Sequence, residues 1–509
     1  MKDNVLGFDI GTQSLKVAVI DSSGTIIDIV QKKYEPPFFI KEDGYAEQSP
    51  NFYYDLMCKA TRELKKIRGN FDDVNCFFIS TIRDTMICLD KDKKPLRDII
   101  LWCDARRAKF FKGCVGKKTQ TAFKLLGKSE ILEKQYTDCH GNWIEQNEPE
   151  IWKKTAHFVF ISTYLNYLTT GNLIDATSSL IGHIPLDYKA MEYYKPGALM
   201  RSIFDIPTEK LPKHLSSGLV IGEVNASFSK DSGLPVGLPL VSTGSDKALE
   251  TLALGVIGEQ GAAISFGTTA TIQLHSKTYV EPQKFMPAYP SVINGCYDLE
   301  MQIQRGFWLV SWFKKEFGKH DQMIAKTKHL YTEDILNESL DHTPTGNDGL
   351  ILQPFWAPSV LTPEAKGCMI GFNEKHTKYS LYRAIIEGLG YALYDGMLIM
   401  EKQSKRKVDH LYVSGGGSKS DRICQITSDI FNLPVSRIQT HEATLLGGAM
   451  VCYKYMNVYK DYEEAKKGMV HYKTTFEPDP DRHKIYDKYF NDAYISLYKT
   501  LEPIYRRIK

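Results

Sequence analysis

Residues 5–16 read Val-Leu-Gly-Phe-Asp-Ile-Gly-Thr-Gln-Ser-Leu-Lys. An apolar run, Val5–Asp9, ends in an acid, turns on Gly11-Thr12-Gln13, and resumes at Lys16–Ile20. That is the pattern of a tight hairpin. The same order returns half a chain later as Ala262–Phe266, Gly267-Thr268-Thr269 and Ala270–His275. A strand, a Gly-Thr turn and a strand, occurring twice, predict two domains of similar build.

Working outward, Asp21-Ser22-Ser23-Gly24 is a turn by its side chains, and Thr25–Gln31 reads as a third strand. Helical patterns at about Phe52–Lys66 and Glu148–Leu168, with strands near Val74–Ile79 and Met86–Leu89, make the first half mixed α/β. The Gly- and Pro-dense segment 234–239 precedes the second hairpin and places the boundary near residues 244–256. The division adopted is 1–245 for the N-terminal domain and 246–509 for the C-terminal one.

The bulk numbers agree with two domains. A chain of 509 residues exceeds the roughly 250–300 at which one hydrophobic core stops growing. Hydrophobic residues make up 43% and charged residues 25%, an ordinary globular mixture. A formal net charge of +3 offers no basic tract for nucleic acid or a membrane surface. The cluster Lys402, Lys405, Arg406, Lys407 reads as a solvated helix end. Ten cysteines without a CxxC pair argue for reduced thiols in a cytoplasmic protein and against a disulfide or metal framework. No signal-peptide stretch opens the chain, and no run approaches the roughly 18–20 apolar residues of a membrane span.

Six stretches could carry chemistry. In Asp9-Ile10-Gly11-Thr12-Gln13-Ser14, backbone N–H groups and hydroxyls at a close turn can hold phosphate oxygens, and Asp9 can hold Mg²⁺ through water. Equally, DxGT is a common tight turn. The second copy, Gly267-Thr268-Thr269, favours phosphate, since two such turns could grip one polyphosphate across a cleft. Neither is a P-loop or a dinucleotide fingerprint. The stretch Ser414-Gly415-Gly416-Gly417-Ser418-Lys419-Ser420-Asp421 follows a strand and precedes a helix, so bare backbone could take a purine and ribose. It could also be a loop with an N-cap at Ser420 or Asp421.

In Thr243-Gly244-Ser245-Asp246-Lys247, Asp246 could take a proton from a substrate hydroxyl as that hydroxyl attacks a γ-phosphate. It could equally cap the helix 248–254, and spacing does not choose between the two. Arg83-Asp84 and Trp102-Cys103-Asp104-Ala105-Arg106 could bind vicinal hydroxyls, though the residues alone favour a surface ion pair.

Together these residues resemble the FGGY carbohydrate kinase family, which includes xylulokinases, gluconate kinases and glycerol kinases. The resemblance runs from about Leu6 to about Tyr455. Asp9-Ile10-Gly11-Thr12 with Ser14 and Lys16 is similar to the first phosphate motif, and Ile100–Arg106 to the WxDxR segment. Asn147–Glu150 with Trp152, Leu168–Gly171, Asp175 and Ser178-Ser179 are similar to the long central stretch. Gly244-Ser245-Asp246 is similar to the catalytic-base segment, and Gly267-Thr268-Thr269 to the second phosphate motif. Pro363–Gly367 with Ile370-Gly371 resembles the xylulokinase-like branch, and Arg383-Ala384 with Glu387-Gly388 the second family signature. Gly415–Ser420 with Gln425 resembles the adenosine motif, and Glu442-Ala443 with Gly447 and Ala449 the closing helix.

The resemblance implies two ribonuclease H-like (actin-like ATPase) domains flanking a catalytic cleft. It implies ATP and Mg²⁺, direct in-line transfer, Asp246 as base and Asp9 near the metal. Nucleotide would lie at Gly11, Thr12, Gln13, Ser14, Lys16, Gly267, Thr268, Thr269, Gly306, Gly415, Gly416, Gly417 and Ser420. A small sugar, polyol or sugar acid, with a xylulose-like ketose favoured, would lie at Arg83, Asp84, Trp102, Asp104, Asp246 and Lys247. Family members are often homodimers.

Three positions depart from the pattern. Lys247 replaces the usual Asn or Gln, so a cation should lower the base's pKa and could meet an anionic substrate such as an aldonate. Arg83-Asp84 resembles the Arg-Glu of glycerol kinases more than the Met-His of xylulokinases. His140 stands where the first signature has Lys. A non-catalytic sugar-binding relative would lack Asp246 or a phosphate motif. An actin- or chaperone-like ATPase would have no need of 102–106 and 244–246.

Overall fold

A computed structural model describes residues 3–42, 44–357, 359 and 362–508. In chain order the elements that position the site are β1 (Asn4–Ile10), β2 (Ser14–Ile20), β3 (Ile26–Lys33), α1 (Phe52–Arg68), β4 (Val74–Thr81), β5 (Val220–Glu223), β6 (Pro239–Val241) and α2 (Asp246–Ala253). They continue with β7 (Gly261–Phe266), β8 (Ala270–Ser276), β9 (Tyr297–Ile303), α3 (Trp308–Phe317), α4 (Lys378–Ser404), β10 (His410–Ser414), α5 (Asp421–Phe431), β11 (Val435–Ile438), α6 (Ala443–Tyr455) and β12 (Tyr472–Phe476).

The chain falls into two compact units. The first runs up to Ala253 and takes in Tyr289–Tyr297 and Thr444–Val470. The second holds Leu254–Ala288, Asp298–Ala443 and the described residues from His471 on.

The sheet of the first unit has the order β5-β6-β4-β1-β2-β3. β1, β2 and β3 form an antiparallel meander, and β4 and then β6 add in parallel on the other side of β1. β1 is almost wholly buried, because it is paired on both edges, antiparallel to β2 and parallel to β4, inside the sheet. In α1, Tyr53, Met57, Ala60 and Leu64 recur at the helical period and are buried, giving it one apolar stripe to lay on the sheet. Gly69 closes α1 at φ 92°, after Lys65, Lys66 and Arg68 have met the negative end of the helix dipole.

The second unit repeats the plan. Its strands run β9-β8-β7-β10-β11-β12, with β7 antiparallel to β8, parallel to β10, and β11 parallel to β10. An antiparallel edge strand ends both sheets, β5 in one and β12 in the other. The two Gly-Thr turns therefore occupy equivalent places, each joining the first two strands of its sheet.

Two expectations change. The division expected after residue 245 falls after Ala253, because α2 buries Leu249 and Leu252 in the first unit. There α6 comes against it so closely that a Cβ on Gly447 would collide with the Leu249 carbonyl. Residues 148–168 are not one helix: Pro149–Lys154 and Ile161–Thr170 are helical, while His157–Phe160 pairs antiparallel with Met86–Leu89. Aromatic and β-branched side chains at Phe158-Val159-Phe160 suit a buried strand, and pairing overrides the helical period.

The ten cysteines are all free. No helix among the described residues is long and apolar enough to cross a membrane.

Candidate active site

Asp246 opens α2 at the end of a tightly held strap. Ser178 Oγ and Ser217 Oγ donate to the Thr243 carbonyl, and the Ser245 N–H donates to the Ser178 carbonyl at 3.1 Å. Gly244 permits this approach, since a Cβ there would lie 2.6 Å from Val292 and 2.9 Å from Ser178 Oγ. Asp246 itself keeps 28% of its side chain exposed. Its Oδ1 accepts the Lys247 N–H at 2.8 Å and lies 3.9 Å from Arg83 Nε. Desolvation raises its pKa above the usual carboxylate range, and Arg83 and then Lys247 offset this only in part. Lys247 lowers it as the sequence leads one to expect, but burial outweighs that and the net shift is upward. Lys247 is committed elsewhere, its Nζ donating to Glu250 Oε2 at 2.7 Å.

Arg83 lies over the ring of Tyr289, 5.5 Å from its centroid. The next residue, Asp84, is held at φ 49°. Its two oxygens take the His183 N–H at 3.0 Å and His183 Nδ1 at 2.7 Å. Gly182 makes room, since any Cβ there would strike the Asp84 carboxylate. Burial would push Asp84 up, but the charge and hydrogen bond of His183 hold it well below the usual range. Burial would push His183 down, and Asp84 raises it instead. His140, buried behind them, is pushed down to about 4 chiefly by burial.

Trp102 joins this region to the first Gly-Thr turn. Its indole Nε1 donates to Thr12 Oγ1 at 3.0 Å, and its backbone N–H donates to Thr85 Oγ1. The turn is closed by the Gly11 N–H on the Ser14 carbonyl, and Ser14 Oγ accepts from Gln31. Gln13 is exposed. Asp9 faces Lys16 across the antiparallel pair and Ser80 across the parallel one, so the three share one face of the sheet.

Asp104 departs from expectation. Its side chain is 0% exposed, so it is neither a surface ion pair nor open to substrate. It accepts from Arg106 Nε and Nη2, both at 2.8 Å, from the Arg106 N–H, and from the Ala46 N–H at 2.6 Å. Arg106 also reaches Glu47 at 3.0 Å and lies against Tyr45 and Trp143. The WxDxR segment thus sends Trp102 toward the first Gly-Thr turn and locks Asp104 and Arg106 into a buried ion network.

In the second unit, Gly267, Thr268 and Thr269 turn between β7 and β8. The Phe307 and Trp308 N–H groups donate to the Gly267 and Thr268 carbonyls, and Thr269 Oγ1 donates to the Gln304 carbonyl. Gly306 packs against this turn, its missing Cβ direction filled by Ala270. It positions the turn and does not present bare backbone. At the neighbouring strand end, Gly415 (φ 81°) packs on Phe266, and Gly417 packs on Phe307 and Phe266. Only Gly416 faces open space. Ser420 is the N-cap of α5, accepting from the Ile423 N–H. The glycine loop thus serves both a helix cap and one open backbone position at the carboxyl ends of two parallel strands, where α/β sheets bind ligands.

Sequence reasoning missed His183, Ser217, Glu250 and Tyr289. Tyr289 lies more than two hundred residues from Arg83, with no local signal. His183 stands four residues after Ser179, and an Asp84 that requires a partner was its only clue.

Models of the FGGY family of carbohydrate kinases match along the chain, the N-terminal domain over residues 4–253 and the C-terminal domain over residues 262–455. An uncharacterized sugar kinase of Escherichia coli (strain K12) is 27% identical over 508 residues, covering 99% of this chain and 95% of that protein. A xylulose kinase of Staphylococcus epidermidis (strain ATCC 12228) is 28% identical over 524 residues, covering 99% of this chain and 98% of that protein. Among solved structures, that of gluconate kinase from Lactobacillus acidophilus shares the fold with a TM-score of 0.84 at 21% identity, covering 100% of both chains. With two units built on one actin-like strand order and both domain models matched, the chain belongs to the FGGY family of carbohydrate kinases, phosphotransferases with an alcohol group as acceptor.

Proposed function

We propose that the chain transfers the γ-phosphate of ATP to a hydroxyl of a small neutral sugar or polyol, a xylulose-like ketose being favoured, with Asp246 as general base. The observation that carries this reading is the Asp246 carboxylate. It is partly exposed at the start of a helix, held by the 243–245 strap, and raised in pKa by desolvation. A base whose pKa moves toward the working pH is a better proton acceptor. It takes the proton of the substrate hydroxyl while that oxygen bonds to the γ-phosphorus and the bond to the β–γ bridging oxygen breaks, releasing ADP.

Gly11, Thr12, Gln13, Ser14 and Lys16 would bind phosphate, as would Gly267, Thr268 and Thr269, with Gly416 and Ser420 beside the adenosine. Arg83 and Trp102 would meet the sugar. Asp9 would hold Mg²⁺, which neutralises phosphate charge when bound. One carboxylate beside hydroxyls suits an ion that keeps waters and leans on the nucleotide. Among the described residues, no group of three or more His, Cys, Asp or Glu is placed to hold a metal by itself. Free thiols throughout fit a cytoplasmic enzyme.

A neutral substrate is favoured because the charges near the base are matched. Lys247 pairs with Glu250, His183 with Asp84, and Arg83 stands beside Asp246. The 28% identity to a xylulose kinase points the same way. The test is ADP release with Mg²⁺-ATP against ketopentoses, pentitols, glycerol, erythritol and aldonates. A ketopentose or polyol should give the strongest turnover. A dominant aldonate would overturn the neutral-substrate reading, and ATP binding with silence across the panel would overturn the kinase reading.

The ion pair makes a second prediction. Lys247→Met should leave the ranking of neutral over acidic substrates unchanged and cost about 1–3 kcal/mol of stability, because the buried Glu250 loses a partner. A selective loss of aldonate turnover, measured on the same panel, would restore Lys247 as a substrate contact.

A further inference from the structure

His183 belongs to no motif of the chain, yet it forms the outer end of a graded cluster. His140 at its base is 5% exposed. The Asp84 side chain is 21% exposed and that of His183 is 26% exposed. Asp84 spends both carboxylate oxygens on His183, one on its backbone N–H and one on Nδ1. A carboxylate so placed holds the residue at two points. It is well suited to fixing the tautomer and aim of an imidazole. Phe204 packs edge-on to the ring, 6.0 Å between centroids, and limits its rotation. No hydrogen bond to Nε2 is present among the described residues. Asp84 directly follows Arg83, whose Nε is 3.9 Å from Asp246.

From this geometry we infer that His183 Nε2 contacts the substrate and helps set its specificity, with Asp84 acting as the positioning residue that aims the ring. The inference rests on the sugar or polyol kinase reading above. With Nδ1 bonded to Asp84, Nε2 is the ring nitrogen left for a ligand, donating to a sugar oxygen when protonated and accepting from a hydroxyl when neutral. The raised pKa of His183 favours the donor form. A polar group placed this way discriminates against analogues that lack the matching hydroxyl far more strongly than an apolar wall does.

Kinetics of three variants on the best panel substrate test this. His183→Asn keeps a donor near the Nδ1 position and removes the outer nitrogen. It should raise the sugar KM about 10-fold or more, change kcat less than KM, and leave the ATP KM within about twofold. Asp84→Asn should raise the sugar KM in the same direction, because the ring loses its charged anchor. The double variant should be little worse than His183→Asn alone, since the two act as one unit. His183→Gln, whose amide reaches toward the Nε2 position, should recover part of the affinity.

Unchanged sugar KM in His183→Asn, with wild-type turnover intact, would overturn the inference and leave the kinase reading standing. A fall in Tm shared by the variants without any KM change would do the same, by making the pair purely structural. Absence of wild-type turnover across the whole panel would bring down the kinase reading and this inference with it.

Discussion

Asp246→Asn should lower kcat by roughly 10³-fold, within the 10²–10⁴ that a positioned general base contributes, while leaving the fold intact. The amide keeps an oxygen to accept the Lys247 N–H and keeps the volume of the carboxyl, so α2 and the strap at 243–245 should not move. It cannot take a proton. Stability should hold or rise. The folded-state pKa of Asp246 is raised, so above that pKa the ionised carboxylate is a cost to folding that the amide does not carry. The measurements are kcat by coupled ADP release, ATP affinity by calorimetry, and Tm. The same raised pKa places the acid limb of kcat/KM above the usual aspartate range, with activity falling as pH drops through it. A variant that retained a tenth of wild-type kcat would end the assignment of Asp246 as base. A variant that lost ATP affinity or Tm in proportion would make it a structural cap.

Asp104→Asn should do the opposite, costing stability and sparing the chemistry. Its carboxylate is fully buried and takes four hydrogen bonds, two of them from the Arg106 guanidinium. Removing one partner of a buried ion pair leaves the other charge uncompensated, a loss of about 3–5 kcal/mol. At roughly 2–4 °C per kcal/mol for a unit of this size, Tm should fall by around 10 °C. Glu47 also touches Arg106 and softens the loss. In protein that remains folded, the sugar KM should stay within about threefold of wild type. A normal Tm with a large rise in sugar KM would return Asp104 to the substrate site.

These two aspartates show where sequence reading reaches and where it stops. Both sit in short polar motifs after an apolar strand, and both can be read as substrate contacts or as structural groups. Burial separates them. Asp246 ends a strap whose small residues, Gly244 and Ser245, leave its carboxylate partly open. Asp104 is fully buried and paired with Arg106, whose guanidinium lies against Tyr45 and Trp143, two residues from far along the chain. A local pattern carries no information on what later folds over it. The glycines divide in the same way: Gly415, Gly416 and Gly417 read alike, but Phe266 and Phe307 fill the space beside the first and third.

The sequence by itself determined the elements made of local signals. The two strand–Gly-Thr–strand hairpins, α1, α5 and the strand–glycine–helix junction at 410–431 lie where periodicity, caps and turn residues put them, because these depend on neighbours within a few residues. Only the tertiary structure decided which charges cancel. Asp84 turned to His183 across 99 residues, Arg83 to Asp246, and Arg106 to Glu47. It also decided that 157–160 is a strand and that α2 and α6 complete the first unit. Pairing and desolvation act between segments distant in sequence, and their free energies outweigh the small local preferences of the residues involved.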